Sequence, residues 1–127
     1  ITSYLRKKID GGGKTSLKKV VNTEGARLKG SQLKEALEQG DELTKRAVAR
    51  SAKAVGMVIA NTFNVLAPDL FVLGGGVGTD LGDGYLSEVR KWAKDFAFTT
   101  ELGSVEVVPA ALGDDAGILG AAIFARE

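Results

Sequence analysis

The sequence predicts an α/β fold that is rich in helix and carries a small parallel sheet. Three observations predict it. A three- and four-residue apolar period runs from Asp41 to Pro68, an apolar run too short for a helix follows and ends in Gly74-Gly75-Gly76, and a second such run at 104–110 ends in another glycine loop. Helix, strand, glycine loop, helix, strand, loop, helix is the order that strand–helix–strand units around a parallel sheet produce.

Residues Ile1 to Asp10 are amphipathic and basic, with Tyr4, Leu5 and Ile9 set against Arg6, Lys7 and Lys8, and the pattern stops at Gly11-Gly12-Gly13. A second short helix is expected over 16–22. Within one domain spanning 1–127, residues 1–30 are thus expected to form a loosely defined helical and linker segment. Ser31 is a good N-cap for a helix over 32–39 that ends at Gly40.

Asp41 is placed to cap the long helix. Leu43, Ala47, Val48, Ala54, Val55, Val58, Ile59, Thr62, Phe63 and Leu66 share one face, while Glu42, Lys45, Arg46, Arg50 and Lys53 take the other. Its last turns are apolar nearly all round, which predicts burial, and Pro68 stops it.

Asp69 to Leu73 reads as a buried strand and Gly74 to Gly78 as a loop. Asp83 to Phe96 follows as a helix with Leu86, Val89, Trp92, Ala93 and Phe96 inward. Ser104 to Ala110 reads as the second strand, Leu112-Gly113-Asp114-Asp115 as a loop and Ala116 to Arg126 as a helix of small residues. Right-handed crossovers put both loops at the carboxyl ends of neighbouring strands, so the Gly74 and Gly113 loops should face one crevice, the natural place for a ligand. Two strands are too few for a free-standing sheet, and further strands are expected from an N-terminal portion or a partner chain.

Composition narrows the chemistry. The 127 residues fit one domain, and 17 basic against 16 acidic residues give no reason to invoke nucleic acid or a membrane surface as a partner. The charge is unevenly spread, with 13 basic and 6 acidic residues through Lys53 and 4 basic against 10 acidic beyond it, a basic docking face or a solvated helical surface. With neither cysteine nor histidine, thiolate and imidazole catalysis and zinc sites are excluded within the chain. No apolar run approaches the roughly 20 residues of a membrane span, so a cytoplasmic protein is expected. The start at Ile1, without an initiator Met or signal pattern, suggests a fragment.

Three motifs carry possible binding chemistry. Gly11-Gly12-Gly13-Lys14-Thr15-Ser16 superficially suggests a phosphate loop, but position 8 is Lys8 where a glycine is required and no strand precedes it, so it reads as an exposed basic linker. Gly74-Gly75-Gly76 follows a strand, where glycines permit positive φ and let backbone N–H groups approach an anion; the alternative is a plain strand-to-helix turn. The dinucleotide fingerprint fails there, because its third glycine would fall at Thr79. Gly113-Asp114-Asp115 opens the last helix, where one aspartate serves as N-cap and the other is free to meet a ribose hydroxyl or a magnesium-bound water. Asn61 and Asn64, late in an apolar helix, suit bonds to buried backbone or to a ligand.

Together and in this order, Gly40-Asp41, the run from Ala60 to Val77 (Ala-Asn-Thr-Phe-Asn-Val-Leu-Ala-Pro-Asp-Leu-Phe-Val-Leu-Gly-Gly-Gly-Val) and the block from Leu112 to Ala122 resemble the ROK family of the actin-like ATPase superfamily. The resemblance covers Gly40 to the end. It implies the C-terminal part of an actin-like, ribonuclease H-like lobe in an ATP-dependent sugar kinase, or else the effector-binding domain of a sugar-responsive transcriptional regulator. It further implies ATP with Mg²⁺ as cofactors, a sugar as second ligand and a missing N-terminal lobe as partner; a homo-oligomer stays open. Adenosine and phosphates would lie against Gly74, Gly75 and Gly76, and with Gly113, Asp114 and Asp115 these are the candidate nucleotide-binding residues. The catalytic aspartate, the N-terminal phosphate loop and the His/Cys zinc site of the family have no counterpart here. If Ile1-Thr2-Ser3-Tyr4 aligns with the segment after the last zinc cysteine, Thr2 stands where many members place a sugar-binding glutamate, and a hydroxyl cannot supply the same charge-assisted hydrogen bond.

Overall fold

In a computed structural model, which describes residues 1–25, 27–98 and 106–126, six helices and two strands follow in the order α1 (Thr2–Asp10), α2 (Lys18–Asn22), α3 (Gly30–Glu38), α4 (Glu42–Leu66), β1 (Leu70–Leu73), α5 (Gly76–Phe96), β2 (Glu106–Pro109) and α6 (Ala116–Phe124). A 3₁₀ turn, Gly113–Asp115, leads into α6. The strands pair in parallel, with Leu70 opposite Glu106 and Leu73 opposite Pro109. The helix-rich fold with a small parallel sheet is therefore the one the periodicities predict. None of the described helices is long and apolar enough to cross a membrane.

Two apolar clusters hold the chain together. One gathers Leu5, Ile9, Leu17, Val21, Leu33, Ala36 and Ala47 from α1, α2, α3 and the start of α4, with the residue before α2. The other gathers Ala52, Ile59, Phe63, Tyr85, Val89, Ala93 and Val107 from α4, α5 and β2. Half-buried Val48, Val77 and Leu81 pack on both and form the seam. Gly56 sets how closely α4 and α5 approach: a β-carbon there would lie 2.6 Å from Trp92 Cβ and 2.8 Å from Val89 O.

Asp41 caps α4 as expected, its Oδ1 accepting the Thr44 N–H at 2.8 Å. Its Oδ2 also accepts the Thr15 hydroxyl and the Ser16 N–H, each at 2.7 Å, and the Ser16 hydroxyl at 3.1 Å. One carboxylate thus fastens the Gly11–Ser16 loop to the start of the long helix. Partial burial pushes this carboxyl upward, but the bonds from Thr44, Thr15 and Ser16 together hold it down at about 2.

Several local expectations need correction. Helix α3 begins at Gly30, with Lys29 at the N-cap position, because the Gln32 side chain turns back to accept the Lys29 N–H at 3.0 Å; Ser31 is already inside the helix. The end of α4 is not buried: Val58, Val65 and Leu66 are 64%, 80% and 72% exposed, since α5 covers one face and no described element reaches the other. For the same reason β1 is half open, with Leu70 and Val72 exposed while Phe71 and Leu73 turn to the core. Pro68 follows a left-handed Ala67 (φ 45°) at the end of α4, as expected of a stop. Ser104 and Val105, at the start of the expected second strand, lie outside the described residues.

Candidate functional site

Both strands end at one edge, where the two glycine loops begin. Leu73 O accepts the Ala110 N–H at 2.9 Å, and a β-carbon on Gly74 would lie 3.9 Å from Ala110 Cβ. The Gly113–Asp115 turn follows and touches α5. Both loops that carry the six candidate residues therefore leave the carboxyl end of the parallel sheet, as the crossover argument requires.

The glycine run is more structured than the loop expected over Gly74–Gly78. Gly75 has φ 97° and is the N-cap of α5, and Gly76 is already helical. The N–H groups of Gly78 and Thr79 reach back to Gly75 O at 3.1 and 3.3 Å, which leaves those of Gly76 and Val77 without a backbone acceptor among the described residues. Nothing lies within 4 Å of where a Gly75 β-carbon would stand. Free N–H groups at the first turn of α5 and an open approach at Gly75 make this edge suited to an anion, with the Asp80 carboxylate beside Gly76 as a negative group against it.

The start of α3 joins the same edge, a feature the sequence did not disclose. A β-carbon on Gly30 would stand 2.6 Å from Gly76 O and would collide with the Asp80 carboxylate, so the first turns of α3 and α5 are in direct contact through a glycine. Asp80 lies at the polarised beginning of α3, where a negative charge is favoured. Gly30-Ser31-Gln32-Leu33 speaks only of helix initiation, and nothing in the periodicity shows that Gly30 is chosen for a neighbour 46 residues away.

The other singled-out residues resolve differently. Asp115 occupies the N-cap position of α6 but makes no side-chain capping bond, so helix initiation there is not anchored by its carboxylate. Asn64 takes a structural role, its Oδ1 accepting the Phe98 N–H at 3.1 Å; Asn61 is exposed. The Lys14-Thr15-Ser16 loop presents its hydroxyls to Asp41, a carboxylate in the place a phosphate would need, which settles it as a structural loop. No group of three or more His, Cys, Asp or Glu among the described residues could hold a metal ion.

The model of the ROK family matches residues 13–127. The chain belongs to the ROK family. Among its relatives is the N-acetylmannosamine kinase of Haemophilus influenzae, 37% identical over 93 residues, which are 73% of this chain and 29% of that protein. Among solved structures, the ROK family glucokinase from Streptomyces griseus in complex with glucose and AMPPNP superposes with a TM-score of 0.76 at 26% identity, over 98% of this chain and 41% of that one. A ROK family transcriptional regulator, a homolog of the E. coli MLC protein, shares the fold with a TM-score of 0.66 at 16% identity, over 83% of this chain and 25% of that one. The fold is thus that of actin-like ATPases, and the chain spans less than a third of the relatives it matches by sequence.

Proposed function

We propose that this chain is the C-terminal, nucleotide-holding portion of an ATP-dependent, glucokinase-like sugar kinase, and that it does not complete catalysis alone. The carrying observation is the Gly74–Gly76 turn, which ends a strand, opens α5 and offers the free N–H groups of Gly76 and Val77 with no β-carbon in the way. Its sequence relatives are sugar kinases, and a glucokinase of the same fold was solved in complex with glucose and AMPPNP. The regulator is alike in fold alone and favours no second reading.

In this reading Gly74, Gly75 and Gly76 hold phosphates, and Gly113, Asp114 and Asp115 border the nucleotide on the β2 side. A nucleotide with Mg²⁺ would supply the phosphoryl group, and the cation would offset the negative charge that Asp80 brings to this edge. The chain's own part is orientation: backbone N–H groups fixed by α5 hold the phosphates, while Gly30 keeps α3 against that edge. Transfer to a sugar hydroxyl needs positioning and charge stabilisation from both lobes, and the base belongs to the N-terminal portion. Such a kinase works in the cytoplasm, where nucleoside triphosphate is supplied.

A coupled assay with Mg-ATP and either glucose or N-acetylmannosamine tests the division of labour. The isolated chain should give no turnover, and the complete protein should phosphorylate one of these sugars. Turnover by the isolated chain at an ordinary kinase rate would overturn the proposal.

A further inference from the structure

Helix α5 is two segments joined at a break. Gly75 (φ 97°, ψ 155°) and Gly82 (φ 61°, ψ −152°) both occupy a region of backbone space essentially closed to residues with a β-carbon, and Gly76–Leu81 lies between them. No atom within 4 Å would meet a β-carbon at either position, so conformation, not crowding, demands glycine at each. Backbone of this kind persists where its surroundings hold it and gathers at ligand clamps and switches.

The two segments are anchored differently. Beyond Gly82, α5 buries Tyr85, Leu86, Val89 and Ala93, and Arg90 donates from Nε and Nη2 to Val107 O at 3.1 and 2.6 Å. Before it, Gly76–Leu81 is held by half-buried Val77 and Leu81 at the seam of the two cores, by Gly78 packed under Leu73, and by Gly30 against Gly76 and Asp80. A groove of about 440 Å³ lined in part by Leu37, Val48, Leu81, Gly84 and Tyr85 runs beside the break, so Leu81 has room to shift.

We propose that Gly82 is a positioning residue: Gly76–Leu81 turns as a unit between Gly75 and Gly82 and sets the angle at which the free N–H groups of Gly76 and Val77 meet a phosphate. The ligand in this proposal rests on the nucleotide reading above; the hinge does not. The mirror image of the Gly82 conformation, φ −61° and ψ 152°, is ordinary extended backbone, so D-alanine fits Gly82 where L-alanine is strained.

Two measurements on the 127-residue chain decide it. In hydrogen exchange, the bonded amides of Gly78–Leu81 should open together and more readily than those of Asp83–Phe96, and Mg-AMPPNP should slow the first group selectively. Gly82→Ala made with L-alanine should weaken Mg-AMPPNP binding about tenfold, and the same change made by chemical ligation with D-alanine should restore it to within about twofold. Exchange of both segments as one cooperative unit overturns the hinge, and a D-alanine variant that binds as poorly as the L-alanine variant overturns the positioning role. Should the L-alanine variant fail to fold, the exchange pattern of the unsubstituted chain still decides. A chain that binds no nucleotide overturns the nucleotide reading, while its free-state exchange pattern still tests the hinge.

Discussion

The two halves of this chain treat their apolar residues in opposite ways. Around α1, α2, α3 and the start of α4, Leu5, Leu33 and Val21 are buried to within about 1% of their surface, and Val77 and Leu81 of α5 seal the cluster. From Met57 onward lie all the large apolar side chains that the described residues leave exposed, on the end of α4, on β1, at Phe98 and Leu112 in the connections, and along α6, where Ile118, Ile123 and Phe124 face solvent. Helix α6 is apolar nearly all round, a composition suited to burial on every side. A surface of that extent marks contact with another body. The second half is thus built to be covered, in keeping with a chain that spans only part of its relatives, and the candidate nucleotide edge lies where the closed half meets the open one.

The comparison can be broken by substitution. Gly56→Leu should have the largest effect, because any side chain there strikes Trp92 and the α5 backbone; overpacking of this kind costs about 3 kcal/mol or more, read from urea unfolding. Leu33→Ala in the closed cluster should cost about 2 to 5 kcal/mol, whereas Leu66→Ala on the open face should stay within about 0.5 kcal/mol in this chain. Equal losses at Leu33 and Leu66 would remove the distinction between the halves.

Asp41 gives a smaller, pH-dependent test. Its folded pKa, about 2, lies below the ordinary 3.8, so its contribution is complete above about pH 4 and is lost as pH falls towards 2. Asp41→Asn should flatten that acid limb and cost about 1 kcal/mol at neutral pH, less than the full shift implies because the carboxylate is only partly buried. A thermal-unfolding series from pH 2 to pH 7 reads it, and an unchanged acid limb would deny Asp41 its role as the fastening between the loop and α4.

Much of this was legible in the sequence because local rules decide it. Asp41 as cap, the stop at Pro68, the strand before the glycines and the parallel order of two strand-to-helix units follow from capping chemistry and period. What escaped depends on distant neighbours or on torsion angles. Gly56 sits among apolar residues as though it were a gap, yet it is the point of closest helix approach. Gly30 gave no sign of Asp80, and Gly82 gave no sign that α5 starts before it and bends there. Period also assigned Val58 and Leu66 to an inner face, since an apolar pattern reports that a side chain is meant to be covered without saying by what.

The most direct test of the nucleotide edge is titration calorimetry of the isolated chain with Mg-AMPPNP, compared with Gly75→Asp, which forces a side chain onto positive φ and a negative charge onto the free N–H groups. Saturable heat with a Kd of about 1 mM or tighter for the unchanged chain, abolished in Gly75→Asp, is the predicted result. No heat from the unchanged chain at several times that concentration, or equal binding by the two, would contradict it.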